Sequence, residues 1–167
     1  MDFKSKYVYL SNNNKTYYTM ELEKEIFQKN FKSEQQKAMI NLVYTFHWAT
    51  NLSRQDFLPY DITMQQFNIL RILRGQFPNP SSINLLRERM LDKMCDASRM
   101  VDRLKQKELV ERCVNKKDKR SVDILISQKG LDLLTKIDAE VDMDLATSKL
   151  TIDDAKALNA LLDKMRG

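Results

Sequence analysis

The sequence predicts a mainly α protein with one small β-hairpin, and three observations carry that prediction. Charged residues make up 31% of the 167-residue chain, while glycine and proline number only three each, a composition suited to helices. Over much of the chain apolar residues recur at spacings of three and four, the repeat of a helix with one buried face. In one place the period switches to two. Val110, Arg112 and Val114 alternate with Glu111 and Cys113, and Val122, Ile124 and Ile126 alternate with Asp123 and Leu125. Such alternation marks half-buried strands, here joined by a loop.

Residues 1–18 are polar and irregular, with three asparagines at 12–14, and read as a tail that orders only on docking. Met20, Leu22, Ile26 and Phe27 predict a short helix within 19–30. Ser33, with Gln36 three residues on, is a capping-box signature that opens a long helix to about Phe57. Its apolar set (Met39, Ile40, Leu42, Val43, Phe46, Trp48, Ala49) is wider than one stripe, so the helix must bury more than one side. Pro59 ends it.

Thr63 and Gln66 cap the next helix, with Phe67, Leu70, Ile72 and Leu73 inward, until Gly75 and the Pro78-Asn79-Pro80 run break it. Ser81 or Ser82 caps a short helix through Leu85, Leu86 and Met90, and a turn at 91–93 follows. In the helix after the turn, Ala97, Met100, Val101 and Leu104 share one face, and Asp96, Ser98, Arg99, Asp102 and Arg103 occupy the other. Beyond the hairpin, Ser127 caps a helix carrying Leu131, Leu133, Leu134, Ile137 and Val141. Thr151 opens the last one, with Ala155, Leu158, Leu161, Leu162 and Met165 on one stripe. No internal repeat or long linker divides residues 19–167, which are expected to form one unit. Within it a middle at about 62–126 lies between apolar helices at about 33–57 and 127–165.

Two short helices at a sharp turn, then a hairpin, are the parts of a winged helix-turn-helix. Charge agrees with a polyanionic partner. The chain carries a net +5, and residues 87–120 alone hold twelve cations against seven anions. The hairpin loop, residues 115–121, has four cations and one anion. The expected partner is double-stranded DNA. The polar face with Asp96, Ser98, Arg99 and Arg103 would enter the major groove. Arg99 is the candidate for a guanine contact, because its planar fork matches two acceptors. Lys93, Lys105, Lys116, Lys117 and Lys119 are candidates for phosphates, as is Ser82 at a helix start.

Four separate pieces carry a more specific likeness. Ser98-Arg99-Met100-Val101-Asp102-Arg103-Leu104, Leu109-Val110-Glu111-Arg112, Asp118-Lys119-Arg120 and Ile126-Ser127-Gln128-Lys129-Gly130 resemble, in order and spacing, the MarR family of bacterial transcription regulators. The likeness covers roughly 62–134. It implies a homodimer built from the first and last helices, a pseudo-palindromic operator, and a repressor released by a small-molecule effector. It implies that Asp118 holds Arg120, and that Arg120 enters the minor groove. It also implies an effector pocket between the dimer helices and the reading domain, for which Tyr44, His47 and Trp48 are the candidates. Glu108 departs from the family's glycine at the end of the reading helix, where a left-handed cap is usual, so the helix is expected to end differently. Ser127 stands where threonine is more usual, a mild change because both cap helices.

Other function classes find little to stand on. Three glycines cannot build a phosphate loop or a dinucleotide fingerprint. One histidine and two cysteines offer no metal-ligand spacing, and no nucleophile signature accompanies His47. No catalytic residues, cofactor or metal are expected. No apolar run reaches membrane-spanning length, so a cytoplasmic protein with reduced thiols is expected. Two rivals remain: a winged-helix scaffold for protein contacts, and a redox sensor using Cys95 near a helix start.

Overall fold

The computed structural model describes residues 20–114 and 122–167. They fall into two compact units that meet in sequence at Phe46 and His47.

The first unit holds helix α1 (Leu22–Glu25) and the opening turns of α2 (Glu34–Phe57). The helix expected within 19–30 is a single turn, because the backbone turns left-handed at Phe27, φ 55°. Leu22 is buried, Lys37 pairs with Glu23, and the Tyr44 hydroxyl donates to Glu25 Oε2 at 2.9 Å. The cap of α2 is a variant of the expected box. Ser33 Oγ accepts the Gln36 N–H, whereas Gln36 Oε1 accepts the N–H of Lys32.

In the second unit α2 ends at Phe57, and Pro59 sits in the 3-10 turn Leu58–Tyr60. Helix α3 (Met64–Gln76) starts with the full reciprocal box: Thr63 Oγ1 accepts from Gln66 N–H, and Gln66 Oε1 accepts from Thr63 N–H. A cis Phe77–Pro78 bond follows, then strand β1 (Ser81–Ser82) and helix α4 (Ile83–Arg89). Helix α5 (Ala97–Gln106), strands β2 (Val110–Val114) and β3 (Val122–Ile126), and helix α6 (Gln128–Glu140) complete the winged body. A 3-10 turn (Leu145–Thr147) leads to α7 (Ile152–Arg166).

The sheet has three antiparallel strands in the order β1-β3-β2, one more than the expected hairpin. Two residues are too few to show alternation, and Ser82 serves twice: it pairs with Asp123, and its Oγ caps α4 by accepting from Leu85 N–H. The β2–β3 register runs from Val110↔Ile126 to Val114↔Val122.

One core joins these elements. α3 supplies Phe67, Ile69, Leu70 and Leu73; α4 and the turn after it supply Leu86 and Met90; α5 supplies Ala97, Val101 and Leu104. Val110, Ile124 and Ile126 come from the sheet, and Leu134 and Ile137 from α6. Each large side chain so buried contributes roughly 1.5–3 kcal/mol of transfer free energy. Surface clasps between α3 and α6, such as Arg74 with Asp138, contribute far less because water screens them.

Candidate nucleic-acid interface

α5 is fixed on three sides. Its inner face is sealed: Ala97, Val101 and Leu104 have no exposed surface. Its start is capped by Asp96, whose carboxylate accepts the Arg99 N–H at 3.1 Å. Its end is a Schellman turn in which Leu109 N–H donates to Leu104 O and Glu108 N–H to Lys105 O. Glu108 takes the left-handed conformation there, φ 62°, so the helix ends as a glycine would end it. The expectation of a different ending is therefore corrected. What holds the residue in place is a set of contacts at the start of α6. Ser127 Oγ donates to Glu108 O at 2.7 Å, Ser127 N–H donates to Leu109 O at 3.1 Å, and Lys129 Nζ meets Glu108 Oε2 at 2.7 Å. Hydrogen bonding from Lys129 holds the Glu108 carboxyl below its usual range. Gly130 allows this close seat, since a Cβ there would lie 2.4 Å from Leu109 O.

Two cations fix the angle of the helix. Arg112 on β2 reaches across to Asp102 Oδ1 at 2.7 Å, and its other nitrogen donates to Ser98 O at 3.5 Å. Lys107 binds both the carbonyl and the carboxylate of Asp61, the latter at 2.7 Å, with Asp61 itself left-handed at φ 52°. Arg112 was missing from the sequence-derived candidates. Its signal was present: it alternates in phase with Val110 and Val114, and a cation on the buried face of a strand requires a carboxylate.

The remaining candidates are placed as follows. Arg99 and Arg103 are exposed on α5, and Ser98 is half-buried. Asp96 is also exposed, with its carboxylate engaged as the cap. Lys93, in the α4–α5 turn, donates to Glu88 O. Ser82 stands at the start of α4. Lys116, Lys117, Asp118, Lys119 and Arg120 lie outside the described residues.

Tyr44 and Trp48 are half-buried and His47 is exposed. None of the three lines the small cleft of the second unit, which is bounded by Leu52, Ser53, Asp56 and Phe57 on one side and Val141, Asp142, Met143, Leu145 and Ala146 on the other. Cys95 is half-buried, and burial, then Asp92 and Asp96, push its thiol pKa up. A raised pKa lowers the thiolate fraction that a redox switch needs. Among the described residues no cluster of ligating side chains is placed to hold a metal, and no helix is long and apolar enough to cross a membrane.

Known proteins bear on this geometry. The MarR family model matches residues 62–122. No relative is found among curated proteins. Solved structures do match. A MarR-like transcription regulator from Bacillus cereus superposes with a TM-score of 0.71 at 21% identity, over 80% of this chain and 96% of that one. A cysteine-to-serine mutant of MarR from E. coli, complexed with operator DNA, gives a TM-score of 0.71 at 26% identity, over 82% and 99%. BpsR of Bordetella bronchiseptica, whose DNA binding is regulated by 6-hydroxynicotinic acid, gives 0.68 at 20% identity, over 78% and 99%. Residues 62–122 match the MarR family model, and the chain has the winged-helix fold of the MarR-type transcription regulators.

Proposed function

We propose that this protein is a homodimeric repressor that reads a pseudo-palindromic operator and is released by a small-molecule effector. The observation that carries the reading is α5. It has a sealed inner face, capped ends and an outer face bearing Arg99 and Arg103, inside the segment that matches the MarR family model. A helix held this firmly presents its outer side chains to a groove at little entropic cost. Arg99 forks onto a guanine, Arg103 and Ser98 support it, and Lys93, Lys105 and Ser82 meet phosphates. Lys116, Lys117 and Lys119 add phosphate contacts, and Arg120, held by Asp118, reads the minor groove.

Support for the dimer comes from apolar side chains left in water. On α2, Met39 and Val43 are 50% and 44% exposed, and on α7, Ile152, Leu161 and Met165 are 76%, 64% and 55% exposed. A second copy would cover them, with 33–57 and 127–165 as the dimer layer and 62–126 as the reader within one unit, 19–167. Two reading helices would then stand roughly 34–36 Å apart, one turn of duplex. The E. coli relative with operator DNA supports the DNA partner, and the B. bronchiseptica relative supports an organic effector. Tyr44, His47 and Trp48 are the residues proposed to meet it.

The test is fluorescence anisotropy on DNA from upstream of the coding region, at several salt concentrations. Wild type should lose affinity linearly in log salt as counterions are released. Arg99→Ala should relax preference at one base pair by about 1–3 kcal/mol while keeping the salt slope nearly intact. Equal, salt-independent affinity of both proteins for all duplexes would overturn the reading.

A further inference from the structure

The turn between α4 and α5 carries two large apolar side chains with nothing over them. Leu91 is 84% exposed and Met94 is 94% exposed. Their neighbours do the packing: Met90 is 2% exposed, Ala97 has no exposed surface, and Cys95 is partly buried against the core. The fold therefore gains almost nothing from Met94.

The backbone beneath it is held by hydrogen bonds. Leu91 N–H donates to Asn68 Oδ1 of α3 at 3.1 Å, Met94 N–H to Asp92 Oδ1 at 3.0 Å, and Cys95 N–H to Asp92 O at 3.3 Å. Lys93 is drawn back to the end of α4 by its bond to Glu88 O. Two residues after Met94, Asp96 caps α5. The backbone that carries the Met94 thioether is thus held just ahead of the helix end that, in winged helix-turn-helix docking, faces the bases.

The surroundings decide what it meets. Lys93, Arg99 and Arg103 lie nearby in sequence and are exposed. A stable protein partner would need roughly 1,000 Å² or more of interface, and these cations would be costly to desolvate within it. A DNA duplex satisfies the cations with phosphates. In its major groove the apolar feature on offer is the C5-methyl of thymine. Methionine, unbranched and polarizable, suits a small methyl target at a variable distance.

We propose that Met94 is a specificity-determining residue that reads a thymine methyl beside the base pair contacted by Arg99. The inference rests on the DNA-reading function proposed above. Its test uses duplexes selected by the wild-type protein from a random-sequence pool, then resynthesised with uracil in place of thymine at one position at a time. That exchange deletes only the methyl group. Wild type should lose about fourfold in affinity at one position per half-site, the equivalent of one buried methyl. Met94→Gln should show no loss there and should select sites without the thymine, Met94→Leu should behave as wild type, and Leu91→Gln should keep the wild-type pattern. At 94% exposure none of the Met94 changes should alter the melting temperature. Indifference of wild type to every uracil, or an unchanged uracil penalty in Met94→Gln, would overturn the proposal while leaving the DNA-reading function standing. Failure of the wild type to select any sequence, with no salt dependence, would bring down both.

Discussion

Helices α3 and α7 begin alike and end differently. Each opens with a complete threonine capping box, Thr63 with Gln66 and Thr151 with Asp154, and each carries an apolar stripe. α3 buries Gln66, Phe67, Ile69, Leu70 and Leu73, whereas no residue of α7 is buried. Capping and periodicity specify that a helix forms. They do not specify what its apolar face meets. For α3 the partner is within the chain, among α5, α6 and the sheet. For α7 the proposed partner is a second copy.

The contrast can be broken most sharply at the two stripes. Leu70→Ala should cost about 2–5 kcal/mol in chemical denaturation, because it opens a cavity at a site with no exposed surface. Leu161→Ala should leave unfolding of the dilute protein within about 0.5 kcal/mol of wild type, as surface changes do. The same change should shift sedimentation toward the monomer. Equal effects of the two substitutions on unfolding would abolish the distinction.

A smaller effect is expected where α6 meets the root of the wing. Gly130→Ala puts a methyl 2.4 Å from the Leu109 carbonyl oxygen and 2.8 Å from Ile126 Cγ1. The backbone must give way, at about 1–3 kcal/mol, seen as a lower denaturation midpoint. Gly75, by contrast, has nothing within 4 Å of an added Cβ, so Gly75→Ala should be tolerated.

The smallest effect concerns Glu108, and its sign depends on pH. The Lys129 contact lowers the Glu108 pKa in the folded state. The stability it supplies is complete above the ordinary carboxylate range and is lost as pH falls through the depressed folded value. Glu108→Gly removes that contact together with the left-handed strain. The melting temperature of the glycine variant relative to wild type should therefore rise as pH falls through the carboxylate range. A difference that stays constant with pH would show that the ion pair contributes nothing.

Much of the winged body was legible in the sequence, and the reasons are physical. The inner face of α5, the Thr63, Ser82, Ser127 and Thr151 caps, and the alternation of β2 and β3 are local signals, each complete within a few residues. What escaped depends on tertiary context. β1 exists only because β3 offers its edge. Asp102 read as part of a DNA-facing surface, yet it holds Arg112 of β2. Ile69, outside the expected inward set of Phe67, Leu70, Ile72 and Leu73, is fully buried, since the core touches α3 over a wide arc. The left-handed Glu108 contradicts its residue type and is held in place by Ser127 and Lys129 from a later helix.

That last feature makes the two residues at 108 and 109 a shared pivot. Helix α5 ends on them, strand β2 departs just beyond them, and the head of α6 is bolted to both of their carbonyls. Any force that slides α6 along its axis must drag the helix and the wing together.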